Sequence, residues 1–376
     1  MKRNIHMLAI AIFLFSAWSC QENKVKFGTI DLESPGSTQN LKFSQLAGNI
    51  RCIPFETLPD FILPDDNVRL WVSGKYIITI SDQDIRQFSP EGKFIRKLAS
   101  AGKGPDEYAN LLSYTVDEQN DILYYGHQND WENIYAINLR DGQPAGKINT
   151  GCLPISMSVM DGNILCIPLK VRTEKQLDAF LITPSGKITD SIPTPPSGEK
   201  FGFSMNKGLI PGNKEWHILK NDTVFRLDFK QIQPVATIRC DNKFNMDAGT
   251  DGNTYEILFK TKDYLLTGKQ SVEMKRSEQV FSIGIHRTAT FLTDVHTFKT
   301  GKLDKFYLDI LDQEYSDFPD LNVSGQKIFW LASAFDIKNL AKEKREAGQT
   351  LSPALQQLDE QLTEESNPVI IVGDLN

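Results

Sequence analysis

One hairpin recurs along this chain at near-constant spacing, and it constrains the fold more than any other feature. The stretch Phe88-Ser89-Pro90-Glu91-Gly92-Lys93-Phe94 returns as Ile182-Thr183-Pro184-Ser185-Gly186-Lys187-Ile188, and more loosely as Ile137-Asn138-Leu139-Arg140-Asp141-Gly142. Each is an apolar arm, a polar or Pro turn containing Gly, and, in the first two, a second apolar arm. Glycine belongs at the turn because a tight hairpin needs a positive backbone φ, which a Cβ resists. The steps from Gly92 to Gly142 to Gly186 are roughly 50 and 44 residues, the size of one blade of a β-propeller rather than of a helical or leucine-rich repeat.

The units meet at a distinctive link. Residues 85–88 and 94–98 form the outer hairpin of one unit, and residues 111–116 and 122–125 open the next. Between them lies Gly102-Lys103-Gly104-Pro105-Asp106-Glu107-Tyr108. The expected fold is all-β, a six-bladed propeller with four-stranded blades. Blade one takes residues 68–72, 76–80, 85–88 and 94–98; blade three spans about 155–192 and blade four about 203–238. Blade five, about 255–293, is less regular because Gln270 to Gln279 is polar, and Phe306 to Ile310 is assigned to blade six. Residues 337–349 and 353–365 are rich in Lys, Glu, Gln, Ala and Leu, which predicts a helical insertion at about 336–365 that packs on a blade edge through Leu351, Leu355, Leu358 and Leu362. The unbroken apolar run Val369-Ile370-Ile371-Val372 implies a strand buried on both faces. It is expected to pair with Arg51 to Glu56 as the outer strand of blade six, so that the chain ends close the ring and no raw edge remains.

The first twenty residues differ from the rest. Lys2 and Arg3 precede an apolar run from Met7 to Phe15, and Ser16-Ala17-Trp18-Ser19-Cys20 ends it. That run is too short for a membrane span and reads as an export signal. It resembles a bacterial lipoprotein signal in which Cys20 is lipidated, implying attachment to the cell envelope through an N-terminal lipid, with either membrane face open. The domains expected are residues 1–20 as signal, 21–48 as a polar tether, with Lys26 to Leu32 left open as an outlying strand, and 49–376 as the propeller. The remaining cysteines, Cys52, Cys152, Cys166 and Cys240, show neither a Cys-x-x-Cys pair nor a histidine at ligand spacing, and are expected as buried thiols. No cofactor or metal is expected. The formal charge of −7 over 376 residues gives a phosphate backbone no general reason to bind, so nucleic acid is not an expected partner.

The run Cys52-Ile53-Pro54-Phe55-Glu56-Thr57, the hairpin ending in Glu91-Gly92-Lys93, the link at 102–108 and the final residues 367–372 together resemble a family of exported six-bladed β-propeller lipoproteins of Bacteroidetes-type bacteria that has no assigned activity. More distantly they resemble the propellers similar to TolB and NHL-repeat proteins. The resemblance spans nearly the whole mature chain, and its most specific part is the Gly-x-Gly-Pro-x-Glu-Tyr link. It implies a nutrient-acquisition setting. The superfold itself hosts binding modules, lyases and hydrolases alike, so it assigns no chemistry.

No catalytic motif emerges. Gly102-Lys103-Gly104 lacks the spacing of a phosphate loop and no helix follows it, so Gly102, Gly104, Pro105, Glu107 and Tyr108 are read as a structural link between blades. A sialidase-type Asp box and a Gly-x-Ser-x-Gly elbow are both absent. Trp131, beside His127 and Asp130 in the polar loop 126–133, is the residue placed to stack on a sugar or peptide, and His127 and Trp131 are carried forward as possible ligand contacts. The function expected is a ligand- or protein-binding module of the cell envelope. The alternative is a hydrolase or lyase acting on glycans or peptides, with carboxylates in the axial funnel.

Overall fold

The computed structural model describes residues 27–58, 62–63, 68–102, 104, 107–171, 177–193, 208–210, 217–220, 222–229, 231–244, 250–276 and 281–376. The signal segment with Cys20, and Pro105 of the link, lie outside the described residues.

The described strands fall into six sheets in chain order. Sheet one holds Arg69–Val72, Ile77–Ile80, Asp84–Phe88 and Phe94–Ala101, with the short Glu107–Tyr108 added in parallel on its outer edge. Sheet two holds Leu111–Asp117, Ile122–His127, Asn133–Asn138 and Pro144–Asn149. Sheet three holds Cys152–Met160, Asn163–Val171, Leu177–Ile182 and Ile188–Pro193. Sheet four holds Gly208–Ile210, His217–Lys220, Thr223–Asp228 and Gln231–Arg239. Sheet five holds Gly252–Lys260, Tyr264–Arg276, Phe281–Asp294 and Thr300–Leu308. Sheet six holds Asn322–Ser324, Lys327–Ala332, Val369–Leu375 and, as its outer strand, Ala47–Pro54. The repeating hairpin is as the sequence predicts: Gly92, Gly142 and Gly186 have φ of +83°, +77° and +85°.

Apolar residues alternate along the strands and so feed two interfaces at once. In the last strand Val369 and Ile371 face sheet five and the helices, whereas Ile370 and Val372 face sheet one. Six such clusters lie between consecutive sheets, and the one containing Ile53, Phe55, Phe88, Phe329 and Val372 joins sheet six to sheet one. The chain ends pair as expected, through a strand that starts earlier, at Ala47, and ends at Pro54; Val369 lies opposite Pro54, Ile370 opposite Ile53 and Ile371 opposite Cys52. The helices Ala334–Glu346 and Pro353–Gln361 begin at Ser333 and Ser352, whose hydroxyls accept the N–H of Asp336 and of Leu355. Leu355, Leu358 and Leu362 pack on sheets five and six as expected.

Three boundaries are corrected. Within the tether the outlying strand left open at Lys26 to Leu32 forms as Gly28–Asp31, parallel to the outer strand of sheet four, and a second, unexpected one, Gln39–Lys42, pairs with that of sheet five. Ile30, Leu32 and Leu41 are buried there, and these few apolar residues suffice because an outer edge offers unpaired N–H and C=O groups. The polar stretch Gln270 to Arg276 does not interrupt sheet five. It continues a long hairpin, from Tyr264 opposite Asp294 to Arg276 opposite Phe281, held by backbone bonds that are indifferent to side-chain polarity. Phe306 belongs to sheet five, since Thr300–Leu308 returns from a tight turn onto Phe281–Asp294, and the innermost strand of sheet six is Asn322–Ser324.

Candidate functional site

The link read as structural is built around two side chains. Tyr108 is buried, and its hydroxyl donates to the Ser81 carbonyl at 2.7 Å. Burial, reinforced by Asp84 and Asp82, pushes the phenol up, so it stays a donor. Glu107 turns its carboxylate back to accept the Gly104 N–H at 2.8 Å, while the Gly102 N–H donates to the Tyr108 carbonyl at 2.9 Å. A side chain at Gly102 would collide with that carboxylate, which would have to swing aside. Among the described residues of the link these hydrogen bonds stay within sheet one, including its own turn at Ser81.

His127 and Trp131 sit in sheet two. His127 is buried at 4% exposure, its ring 4.9 Å from that of Tyr135 and 6.3 Å from that of Tyr125. Burial holds its pKa below the ordinary histidine value, the opposing pull of Asp130 being weaker. Beside it, Asp130 accepts from Asn133 and from the Tyr135 hydroxyl, each at 2.5 Å, and pairs with Lys147 at 2.5 Å. Burial works to raise Asp130, but Lys147, Tyr135 and Asn133 outweigh it and bring the carboxyl down to about 2. Trp131 is half-buried at the end of the single turn Gln128–Asp130. Neither His127 nor Trp131 borders the cavity described next.

The innermost strands of sheets one, two, three, four and six converge on a cavity of about 750 Å³. Its wall is drawn from residues 71–74, 112–119, 155–162, 209–210 and 323–327, with none from sheet five. The strands are stitched together by side chains. The Tyr114 hydroxyl donates to the Leu70 carbonyl at 3.0 Å, Arg69 donates to the Leu111 carbonyl, and Ser113 Oγ donates to the Pro154 carbonyl at 2.7 Å. Burial pushes the Tyr114 hydroxyl up to about 12, so it too remains a donor.

Three carboxylates border the cavity. Asp117 is buried and accepts the N–H groups of Gln119 and Asn120 and the Asn120 amide, so it caps its own turn. Glu118 accepts the Trp71 indole N–H at 3.2 Å, fixing the ring at the junction of sheets one and two. Asp161 lies in an exposed turn at the rim. Lys327 pairs with Asp374. The described cysteines are free thiols, and burial pushes Cys52 up to about 12 and Cys240 up to about 11, which leaves both unreactive. Among the described residues no cluster of His, Cys, Asp and Glu could hold a metal ion.

Sequence reasoning passed over Trp71, Tyr114, Glu118, Ser156 and Ser158. A signal existed: residues 73–75, 117–121 and 161–163 are each the first turn of a unit, and first turns gather at one end of the inner strands.

No helix among the described residues is long and apolar enough to cross a membrane. No functionally curated protein matches the chain. A Bacteroides fragilis protein described as a candidate exported protein superposes with a TM-score of 0.58 at 12% identity, over 94% of this chain and 99% of that one. A DUF4221-family protein from Bacteroides vulgatus gives 0.46 at 9% identity over 88% and 98%. The β-propeller domain of Cps50 (Swd1) from Myceliophteria thermophila gives 0.38 at 9% identity over 73% and 95%. The first of these likenesses shows a shared fold. At the level of sequence, residues 27–374 match the family described as a domain of unknown function, DUF4934, and the chain belongs to that family.

Proposed function

We propose that this chain is an exported, lipid-anchored six-bladed β-propeller whose axial funnel binds a ligand or an envelope partner. Six sheets in chain order, apolar clusters between each consecutive pair and between the last and the first, and the pairing of the two chain ends support the six-bladed ring. The observation that carries the binding reading is the cavity of about 750 Å³ where the inner strands meet, within the size range of small-molecule sites, about 300–1,000 Å³. It is lined by aliphatic side chains such as Val116, Ile155 and Ile210 together with hydroxyls, amides and two aromatic rings. Among the described residues the only buried carboxylate on its wall, Asp117, is spent on its own turn.

The lipid anchor rests on Ser19-Cys20 after the apolar run. Cys20→Ser should move the protein from the membrane pellet to the soluble envelope fraction, because acylation supplies the hydrophobic attachment. An unchanged pellet fraction rejects it. The binding reading is tested by filling the funnel. A Ser158→Trp variant that retains the native melting temperature should lose whatever the native chain retains from a library of glycans and peptides. If the filled chain binds as before, the site is elsewhere. If a library member is cleaved by the native chain and not by the filled one, the funnel is catalytic.

A further inference from the structure

The cationic side chains described around the funnel are paired before any ligand arrives. Asp117 has its acceptor positions taken by its own turn, Lys327 is paired with Asp374, and Lys75 reaches from sheet one to the Glu118 carbonyl at 2.7 Å and to Asp121 at 3.0 Å. Arg140 completes the set on Asp121 at 2.7 Å. Two carboxylates are exceptions: Asp161 is exposed at the rim, where water and salt screen it, and Glu118 holds the neutral Trp71 N–H and no cation. An anionic ligand would have to be desolvated without gaining an unmatched counter-charge, which is unfavourable, and a cationic one would meet Glu118, which is already bound to the Trp71 N–H, and the screened Asp161.

Neutral hydrogen-bonding groups remain. The hydroxyls of Ser156 and Ser158 and the amide of Gln119 line the cavity and hold no side-chain bond to the described protein, in contrast to Ser73, Ser113 and Ser324, which are committed to backbone partners. Glu118 uses one carboxylate oxygen on Trp71 and keeps the other as an acceptor. Trp71, with its N–H tied down, has a ring of fixed orientation on the wall. A rigid aromatic face beside hydroxyls, an amide and one carboxylate oxygen suits a ligand that presents C–H faces and many O–H groups and carries no charge.

We infer that the funnel binds an uncharged, hydroxyl-rich ligand of the neutral oligosaccharide class. This rests on the funnel's being the binding site. Calorimetry of the mature chain with cellohexaose, xylohexaose and mannohexaose as neutral probes, hexagalacturonate as anion and hexalysine as cation tests it. At least one neutral probe should bind, with an affinity that changes less than about twofold between low and high salt. Trp71→Ala should weaken it by about tenfold or more, and Ser158→Ala, which leaves the wall folded, by a few-fold. Binding of hexagalacturonate or hexalysine that collapses in high salt, with no neutral probe bound, overturns this inference and leaves the funnel as the site. A neutral probe held equally by the native and the Ser158→Trp chains overturns both. Silence from every neutral probe overturns the inference.

Discussion

Ser324 Oγ accepts the backbone N–H of Val72 at 2.8 Å and donates to the carbonyl of the same residue at 3.0 Å. One hydroxyl thus satisfies both backbone groups of a residue 252 positions away, and ties the innermost strand of sheet six to that of sheet one. Both residues are buried. Ser324→Ala should leave the Val72 donor and acceptor unpaired, costing about 1–3 kcal/mol. Urea denaturation measures this as a lowered midpoint, and an unchanged midpoint would mean that water replaces the hydroxyl.

A larger effect is expected from the chain end. Val369, Ile370, Ile371 and Val372 are at most 1% exposed, and each contributes about 1.5–3 kcal/mol by burial. Their sum rivals the roughly 5–15 kcal/mol that keeps a domain folded. Deleting residues 367–376 should abolish cooperative melting in calorimetry. A truncated chain that melts at the full-length temperature would show that Ala47–Pro54 finds another partner.

The link offers a coupled pair. Gly102→Ala should push the Glu107 carboxylate off the Gly104 N–H, and Glu107→Ala removes the same bond. Each should cost about 1 kcal/mol, and the double variant little more than either, because both act on one contact. Additive losses in a double-mutant cycle would show that the collision at Gly102 is relieved in some other way.

Acid should destabilise the protein in two stages with opposite chemistry. His127 has a folded pKa below its unfolded value of about 6.5, so its contribution is present above that pH and is lost as pH falls through the folded pKa, when the unfolded chain takes up the proton first. Asp130, depressed from 3.8 to about 2, contributes stability that is present above about 4 and is lost between about 4 and 2. His127→Gln should flatten the stability–pH curve below about 6.5, and Asp130→Asn should flatten only its lower limb. The check is denaturation at a series of pH values. Curves parallel to the native one would assign the acid slope to other groups.

What the sequence by itself determined is local. The turn chemistry of Gly92, Gly142 and Gly186 and the helical spacing of Leu355, Leu358 and Leu362 depend on neighbours within a few residues, and each is visible as a spacing. The pairing of Val369–Leu375 with Ala47–Pro54 was also legible, because an unbroken apolar run needs cover on both faces and the chain offers few partners for it. Tertiary structure alone decided which outer edges the segments Gly28–Asp31 and Gln39–Lys42 would cover, since edge pairing is made by backbone groups common to every residue. It also decided the site. Trp71, Glu118, Ser158 and Lys327 are far apart in the chain and belong to four sheets, and no periodicity links them. They border one cavity because the strands that carry them converge, and convergence is a property of how whole sheets pack.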